Sequence, residues 1–402
     1  MKKIALLDNP VRNYAWGSRS FIPDLLGESS PAAEPVAELW MGAHPTSPSM
    51  VLVNKERLSL LELIRERPAD ILGESVAKRY FNNLPFLFKV LAAAKPLSIQ
   101  AHPNKDQARE GFARENRQKI PLKASHRNYK DENHKPEIIC ALKPFWALKG
   151  FRHAEEIIDL LDDIGISSLE SERNGLQKSP NRRGLQTFFS ALMMMEKARR
   201  TRVLMEAVNQ CKKVAHENPA FEWVVRLSAA YPDDLGILSP VLLNLVQLQK
   251  GEAMNIPAGE LHAYLEGAGI ELMANSDNVL RGGLTPKQVD VQELLKVLTF
   301  QAGKVNLLKP DQGANCDRVY PTHTEEYSLS QLDIQEGDSL KSPKRRSVEI
   351  MICLEGDAQI TDLGQGDVLS LRKGTSLIVP AAVEQYRIEG TATIYKASVP
   401  RS

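Results

Sequence analysis

Three side chains that can bind a metal ion or a sugar lie within residues 95–103, Lys-Pro-Leu-Ser-Ile-Gln-Ala-His-Pro. The apolar run before them, residues 84–94, is typical of a buried strand. If the strand continues, Ser98, Gln100 and His102 share one face, because side chains alternate along a strand. Buried polar groups need polar partners. The stretch therefore indicates either a strand end running into a polar loop, or the wall of a polar pocket in which Gln100 and His102 can reach one metal ion.

A second polar stretch, residues 128–137, runs into the apolar sequence Ile-Ile-Cys-Ala-Leu. Lys135 and Glu137 are two residues apart, so they share a face if this segment is a strand. A glutamate that enters an apolar strand is costly unless it is paired or bound to a cation. Glu137 is therefore a candidate for an ion pair or for metal binding.

A third stretch, residues 252–287, alternates polar and apolar residues between glycine-rich turns. Glu260, His262 and Tyr264 alternate onto one face, while apolar neighbours occupy the other. Glu271 continues the alternation in the strand that follows. These residues indicate a further polar wall.

The turn region after these strands carries Asp277 and Arg281. We predict a helix beyond it, reaching about residue 298, because Thr285, Pro286 and Gln288 match a T-P-x-Q capping box. Arg281 would then lie between two rigid elements, which suits a positioned cation.

The three stretches together offer two imidazoles, a carboxylate and an amide oxygen, from His102, His262, Glu137 and Gln100. This set without thiolates suits Zn²⁺, and it is also compatible with Mn²⁺ or Fe²⁺. The sequence has no local H-E-x-x-H signature, so spacing alone does not prove a site.

The composition limits the partners that we expect. The 402 residues allow two or three domains, and a formal net charge of +1 provides no strong field for nucleic acid or an anionic membrane. No apolar run reaches the roughly 18 residues of a membrane span. The four cysteines are far apart and include no CxxC pair, which favours a reducing cytoplasm.

Periodicity divides the chain into parts. Residues 152–248 show helical spacing, for example at 199–217 and 238–248, with a polar link at 171–183. Short, evenly spaced strands in residues 301–402 predict a β-sandwich or jelly-roll module. We therefore predict a mainly β fold with a helical insertion, in which residues 1–151 and 249–300 form the domain that carries the polar walls.

Several long motifs resemble type I mannose-6-phosphate isomerases (phosphomannose isomerases), a zinc-dependent family of the cupin superfamily. They are NYAWGS (13–18), AELWMGAHP (37–45), LPFLFKVL (84–91), PLSIQAHPNK (96–105), NYKDENHKPE (128–137), HAYLEG (262–267) and MANSDNVLRGGLTPK (273–287). The resemblance covers most of the chain and weakens in the helical part and the C-terminal module. It implies a cupin-like jelly-roll catalytic core, one zinc ion per chain bound by Gln100, His102, Glu137 and His262, and a catalytic Arg281.

The family reaction interconverts mannose 6-phosphate and fructose 6-phosphate by moving a proton between C2 and C1 through a cis-enediol. It needs a base, and it needs a group that stabilises the oxyanion, such as a Lewis-acidic metal or an arginine. The base is open among Lys135, Glu271, Asp277 and a metal-bound water, and a hydride shift without a base is also compatible.

The substrate phosphate needs cationic or hydroxyl partners. Lys95 and Ser98 are the first candidates, followed by Lys287. Tyr264 and Glu38 are candidates for orienting the metal ligands or the sugar hydroxyls. We expect a cytoplasmic monomer that acts on a small sugar phosphate and binds neither nucleic acid nor membrane.

Two other functional classes fit the same residues. A metal-dependent cupin oxygenase would hold Fe²⁺ with His102, His262 and Glu137, although Gln100 and the neighbouring cations favour an anionic sugar. A non-catalytic sugar-phosphate-binding protein would keep the fold without the reaction, although the intact ligand set argues against it.

Overall fold

Strands dominate both ends of the chain and helices dominate its middle in the computed structural model, which describes residues 1–53, 56–311 and 316–400. The strands are Ala5–Asp8 (β1), Val11–Arg12 (β2), Glu38–Met41 (β3), Met50–Val53 (β4), Glu56–Ser59 (β5), Phe86–Ala93 (β6), Ile99–Ala101 (β7), Glu137–Ala141 (β8), Phe145–Phe151 (β9), Leu243–Leu248 (β10), Ala253–Ile256 (β11), His262–Ala274 (β12), Leu280–Gly283 (β13), Asp317–Val319 (β14), Ser328–Ile334 (β15), Ser339–Lys341 (β16), Glu349–Asp362 (β17), Val368–Arg372 (β18), Ser376–Val379 (β19) and Tyr386–Ser398 (β20). The α-helices are Phe21–Leu26 (α1), Leu60–Glu66 (α2), Pro68–Leu72 (α3), Glu74–Arg79 (α4), Lys105–Arg117 (α5), Ala154–Ile164 (α6), Glu170–Lys178 (α7), Arg182–Met193 (α8), Lys197–Val214 (α9), Pro219–Ala230 (α10), Ser239–Leu242 (α11) and Val291–Val297 (α12). Short 3₁₀ turns lie at Ser167–Leu169 and Leu235–Leu238.

The first antiparallel sheet, called the catalytic sheet below, runs β10-β9-β12-β6-β3-β2, with β7, β8, β11 and β13 attached to it. Its longest strand, β12, pairs with β7 and β9 near its start and with β6 and β8 further along. Gly267 lies at this change of neighbours with φ +131°, and a Cβ there would lie 2.7 Å from Phe145 Cα. A glycine is therefore needed where β12 passes from one pair of strands to the other.

The second antiparallel sheet, called the module sheet below, runs β14-β15-β20-β17-β19-β1-β4-β5, with β16 and β18 attached. The N-terminal strand β1 pairs with β19, with Ala5 opposite Ile378. Strands from both ends of the chain thus share this sheet, and β1 covers an edge of β19 that would otherwise be open. The module sheet therefore extends across the boundary that we predicted near residue 301.

One apolar core lies between the two sheets. Phe88 and Ile270 contribute to it from the catalytic sheet, and Ile350 and Tyr395 contribute from the module sheet. All four side chains are fully or almost fully buried. This shared core fixes the C-terminal module against the back of the strands that carry the polar residues.

The helical insertion leaves the catalytic sheet after β9 and returns in β10, whose first residue, Leu243, pairs with Phe151. Two details of the sequence prediction are wrong here. The predicted polar link at residues 171–183 contains α7, which is anchored by the single buried apolar residue Leu176. The predicted helix at 238–248 ends at Leu242, because the following residues pair with β9 instead.

The predicted capping box at Thr285 is also wrong, since the helix begins only at Val291. The Thr285 hydroxyl accepts a hydrogen bond from Lys287 N, two residues on, and the real N-cap is Asp290, whose carboxylate accepts from Glu293 N. Residues 284–290 therefore form a loop. The overall arrangement of strands with a helical insertion still confirms the predicted fold class.

None of the helices in the described ranges has both the length and the apolar character that crossing a lipid bilayer requires.

Candidate metal centre and active site

Three metal-ligating side chains meet at one end of the catalytic sheet. Glu137 and His262 are the first residues of β8 and β12, and His102 follows β7 directly. Their ligand atoms lie within 4.8 Å of one another, and all three side chains are buried. Strand pairing places Gln100 next to this group, because Gln100 in β7 lies opposite His262 on one side and opposite Arg281 on the other.

The donor atoms of this group face one another. His102 Nε2 lies 3.3 Å from Glu137 Oε1 and His262 Nε2 lies 3.4 Å from Glu137 Oε2, and within the described part of the chain both Nε2 atoms and Glu137 Oε2 are buried without a well-formed hydrogen bond. The other ring nitrogens are engaged, since His102 Nδ1 lies 2.8 Å from Asn278 O and His262 Nδ1 lies 3.2 Å from Glu260 O. When Nδ1 donates to a carbonyl, Nε2 is the free acceptor that binds a metal. The residues therefore fit a zinc ion with nitrogen and oxygen ligands.

The electrostatic environment favours the metal-binding forms of these side chains. Burial and the nearby charge of Lys135 lower the pKa of His102 to about 4, although Glu137 acts in the opposite direction. Burial raises the pKa of Glu137, but the Lys135 ammonium, whose Nζ is 2.9 Å from Oε1, and the two histidines outweigh it and hold this pKa well below its ordinary value. At neutral pH the imidazole of His102 is uncharged and the carboxylate is ionised, as metal binding requires.

A buried lysine that the sequence analysis did not single out lies beside this group. Lys89 Nζ, in β6, is 2.7 Å from Glu271 Oε2 and 3.7 Å from Glu38 Oε1, and Trp40 Nε1 donates to Glu38 Oε2 at 2.7 Å. Burial opposes the charge of Lys89, but the two carboxylates outweigh it and raise its pKa. Burial raises the pKa of Glu271, and Lys89 only partly offsets it. In the sequence, Lys89 could be noticed only as a charged residue within the otherwise apolar run 84–94.

Three cationic side chains, Lys130, Arg281 and Lys287, line the same cleft. The pKa of Lys287 is lowered chiefly by Arg281, then by burial and by Lys130, and burial lowers the pKa of Arg281. The salt bridges of the described residues do not include any of the three. An anionic ligand would relieve their mutual repulsion. Lys130 was not singled out from the sequence.

The remaining candidates occupy different positions. Ser98 lines the cleft, whereas Lys95 is exposed and does not line it. Asp277 lines it as well, with its Oδ1 3.4 Å from His44 Nε2, and this contact lowers the pKa of Asp277 although burial opposes the shift. Tyr264 also lines the cleft and is fully buried. Burial and then the charge of Glu271 raise the pKa of Tyr264 well above the ordinary value. Asp277 is therefore ionised at neutral pH, and Tyr264 carries its proton.

A network around Asn278 holds the loop that carries two of the lysines. Asn278 Oδ1 accepts from Lys130 N at 2.7 Å, and its Nδ2 donates to Asp131 O and Asn133 O, both at 2.9 Å. The backbone carbonyl of Asn278 is the one that faces His102. One asparagine therefore links the metal-ligating group to the loop of Lys130 and Lys135.

The cleft has a volume of about 410 Å³, within the range of small-molecule sites. Tyr14 and Trp16 form part of its wall and stack with ring centroids 5.5 Å apart. The cleft brings Glu137 of the metal-ligating group together with the ionised Asp277 and five cationic side chains, of which Lys89 and Lys135 are already paired with carboxylates. This combination suits a small, anionic, hydroxyl-rich ligand.

Comparison with known proteins agrees with this geometry. Residues 4–154, 160–243 and 317–399 match, respectively, the phosphomannose isomerase type I catalytic domain, the helical insertion domain of the same family and the mannose-6-phosphate isomerase cupin domain. The mannose-6-phosphate isomerase of Escherichia coli (strain K12) is 41% identical over 388 residues, which is 96% of each chain. The Homo sapiens enzyme is 35% identical over 404 residues, covering 92% of this chain and 89% of its own.

Solved structures show the same relationship. Mannose 6-phosphate isomerase from Salmonella typhimurium, bound to its substrate f6p and to zinc, superposes with a TM-score of 0.92 at 38% identity, covering 99% of this chain and 100% of its own. A zinc-bound holo mannose 6-phosphate isomerase gives the same values. With this identity along nearly the whole length, and with the predicted motifs gathered around one cleft, the chain belongs to the type I mannose-6-phosphate isomerase family.

Proposed function

We propose that this protein is a zinc-dependent isomerase that interconverts D-mannose 6-phosphate and D-fructose 6-phosphate. The observation that carries the proposal is the buried group of His102, Glu137 and His262, whose Glu137 lines a cleft that also holds three cations without a salt bridge among the described residues. Such a cleft offers a metal for the sugar oxygens and positive charge for the phosphate. Family membership supports the same reaction.

We assign one zinc ion per chain to His102, Glu137 and His262, with Gln100 as the fourth protein ligand. Gln100 is supported by its position opposite His262 and by its place in the wall of the cleft. When bound, zinc supplies a Lewis acid that polarises sugar oxygens and stabilises negative charge on them.

The phosphate end of the substrate is assigned to Arg281 and Lys287, with Lys130 and Ser98 beside them. Arg281 is permanently charged and presents several N–H donors, so it can hold either the phosphate or the enediolate oxygen. Lys95 was the first candidate from the sequence, but its exposed position outside the cleft gives it no support.

The proton transfer needs a base that removes the C2 proton of the open-chain aldose. The O1 oxygen takes up a proton to give the enediol, and C1 is then protonated while O2 loses its proton, which yields the ketose. Asp277 is ionised and faces the cleft, which makes it the better supported candidate. Lys135 stays a candidate as well, but it pairs with Glu137 as an ammonium and would first have to give up that proton. Glu271 is less suited, because Lys89 already occupies its carboxylate. We assign Tyr264 and Glu38 to orienting the metal ligands or the sugar hydroxyls.

The deciding experiment combines metal analysis with a coupled isomerase assay. We expect about one zinc per chain and isomerisation of mannose 6-phosphate without added oxygen or organic cofactor. Bound iron with oxygen consumption would instead identify a cupin oxygenase. A zinc-loaded protein that binds the sugar phosphate without turning it over would identify a binding protein.

We also propose that the protein is a cytoplasmic monomer with no nucleic-acid partner. The four cysteines are free, three of them buried, which is the usage expected in a reducing compartment. The net charge of +1 supports the absence of a nucleic-acid partner. Light scattering of the zinc-loaded protein tests the monomer, which a dimer mass would contradict.

A further inference from the structure

The helical insertion contacts both walls of the cleft through the turn that follows α10. Tyr231, the first residue after that helix, donates from its hydroxyl to Pro96 O at 3.1 Å. Burial and then Asp234 raise the pKa of Tyr231, so the hydroxyl keeps the proton that it donates. Pro96 belongs to the wall that carries Ser98. The insertion therefore contacts this side of the cleft through a directed hydrogen bond.

The same turn reaches the opposite wall through Asp234. One carboxylate oxygen, Oδ1, accepts from Gly236 N at 2.7 Å, which keeps the turn in shape. The other, Oδ2, accepts from Thr285 N at 3.1 Å, in the loop between β13 and α12. Both oxygens are thus engaged, one within the insertion and one across to the catalytic domain.

The backbone is crowded and strained where these two segments meet. Leu284 is a buried residue with φ +53°, a left-handed conformation that leucine rarely adopts. Gly283 has φ +141°, and a Cβ there would lie 2.9 Å from Asp234 Oδ1, while a Cβ at Gly236 would lie 2.7 Å from Leu284 N. Strained backbone persists only where its surroundings hold it, and here Asp234 is one of the groups that does so.

The consequence concerns the two cations that flank this point, Arg281 and Lys287. Neither side chain forms a salt bridge within the described ranges, so no carboxylate holds either in place. Their position therefore depends on the backbone between them. We propose that Asp234, in the helical insertion, is a positioning residue for substrate binding, which holds this loop so that Arg281 and Lys287 meet the phosphate.

This inference rests on the proposed isomerase function and is tested by Asp234→Asn. The amide has the same shape but places an NH₂ group against one of the two N–H donors, so one hydrogen bond is lost. We expect the KM for mannose 6-phosphate and the inhibition constant of inorganic phosphate to rise together by about tenfold, with kcat within about threefold. Zinc content should stay at one per chain.

Asp233→Asn is the matched control, because it makes the same charge change one residue away at an exposed position. Asp233 makes no hydrogen bond to Thr285, so its KM and phosphate inhibition should equal those of the unmodified protein. If Asp234→Asn also leaves both constants unchanged, or lowers kcat and zinc content at constant KM, the positioning role is wrong.

A second variant, Asp234→Ser, keeps the inference testable if Asp234→Asn fails to fold. The shorter serine hydroxyl can still accept from Gly236 N as an N-cap, but it cannot reach Thr285 N, so we expect the KM and the phosphate inhibition constant to rise about tenfold. Unchanged constants in Asp234→Ser would refute the inference. Phosphate affinity measured by calorimetry separates the two proposals: if the protein lacks isomerase activity but Asp234→Asn still weakens phosphate binding, only the proposed function fails.

Discussion

His262 and Arg281 lie on opposite sides of Gln100, yet their loss has different expected consequences. His262→Ala removes a metal ligand, so zinc and activity should both be lost. Arg281→Ala leaves the three donors intact, so zinc should stay while kcat/KM falls about 10²- to 10³-fold. Metal analysis and steady-state kinetics on the same preparations check both outcomes. Full turnover by the Arg281 variant would remove that residue from the proposed mechanism.

Lys89 is expected to be a structural requirement of the site, because it separates two buried carboxylates. Lys89→Met leaves Glu38 and Glu271 buried without a cation, which should lower the free energy of unfolding by about 3–5 kcal/mol. Adding Glu271→Gln removes one of the uncompensated charges, so the double variant should recover part of this loss. Urea unfolding of the zinc-loaded proteins measures the free energy of unfolding of both variants. A decrease below about 1 kcal/mol in Lys89→Met would show that Lys89 is not a structural requirement of the site.

The metal-ligand candidates could be proposed from the sequence because each is a polar side chain at the end of an apolar strand. His102, Glu137 and His262 stand out in this way, and their meeting follows from strand pairing that the sequence does not reveal. Lys89 was missed because its partners come from distant strands, so the lysine alone resembles an interruption in a core segment. Lys130 resembles an ordinary loop lysine until Arg281 and Lys287 are placed beside it.

At the scale of elements, two helical glycines differ in the space around them. A Cβ at Gly111 in α5 would lie 2.5 Å from the buried ring of Tyr129, whereas a Cβ at Gly175 in α7 meets nothing within 4 Å. Gly111→Ala should therefore destabilise the protein by about 1–3 kcal/mol through overpacking. Gly175→Ala should stabilise it by about 0.5–1 kcal/mol, because alanine favours helix. Thermal unfolding tests the pair, and equal shifts would show that packing is not the cause.

Helix caps could be predicted from the sequence only where local bonds decide the outcome. Asn104 caps α5 and forms a capping box with Gln107, because both partners lie within one turn. Thr285 offered the same local pattern, yet its segment stays a loop that is bound by Asp234 from the helical insertion. Residues 243–248 likewise became a strand because β9 offered hydrogen bonds that the helical spacing could not indicate.

At the scale of the whole molecule, the C-terminal module contacts the loop of Lys135 through a hydrogen bond between His134 and Glu326. His134 Nε2 lies 2.8 Å from Glu326 Oε1. Burial raises the pKa of Glu326, but hydrogen bonds from His134 and Thr324 outweigh it and lower this pKa to about 2. The pKa of Glu326 in the folded protein is below its value of about 4.3 in the unfolded chain. The ionised carboxylate therefore stabilises the folded protein fully above about pH 4.3, and this stabilisation is lost as the pH falls towards 2.

Glu326→Gln should therefore be less stable than the unmodified protein at pH 7, and the difference should shrink as the pH falls from about 5 to 3. Urea unfolding at several pH values measures the difference. Glu325→Gln is the control, because this neighbour is exposed and pairs with Arg79 at the surface, where the expected change is below about 1 kcal/mol. A difference that is independent of pH would show that the charge of Glu326 does not couple the module to the loop.

The pairing of β1 with β19 sets the order in which this protein can be completed during synthesis. Leu7 and Ser376, which face each other across these strands, are 369 residues apart. A ribosome that adds about 5–20 residues per second takes roughly 20–70 s to cover that distance. During that interval β1 can pair with β4, but its other edge has no partner. The nascent chain thus exposes an open strand edge until its last module emerges, so protection of that edge by a chaperone should matter more for yield than the stability of the finished fold.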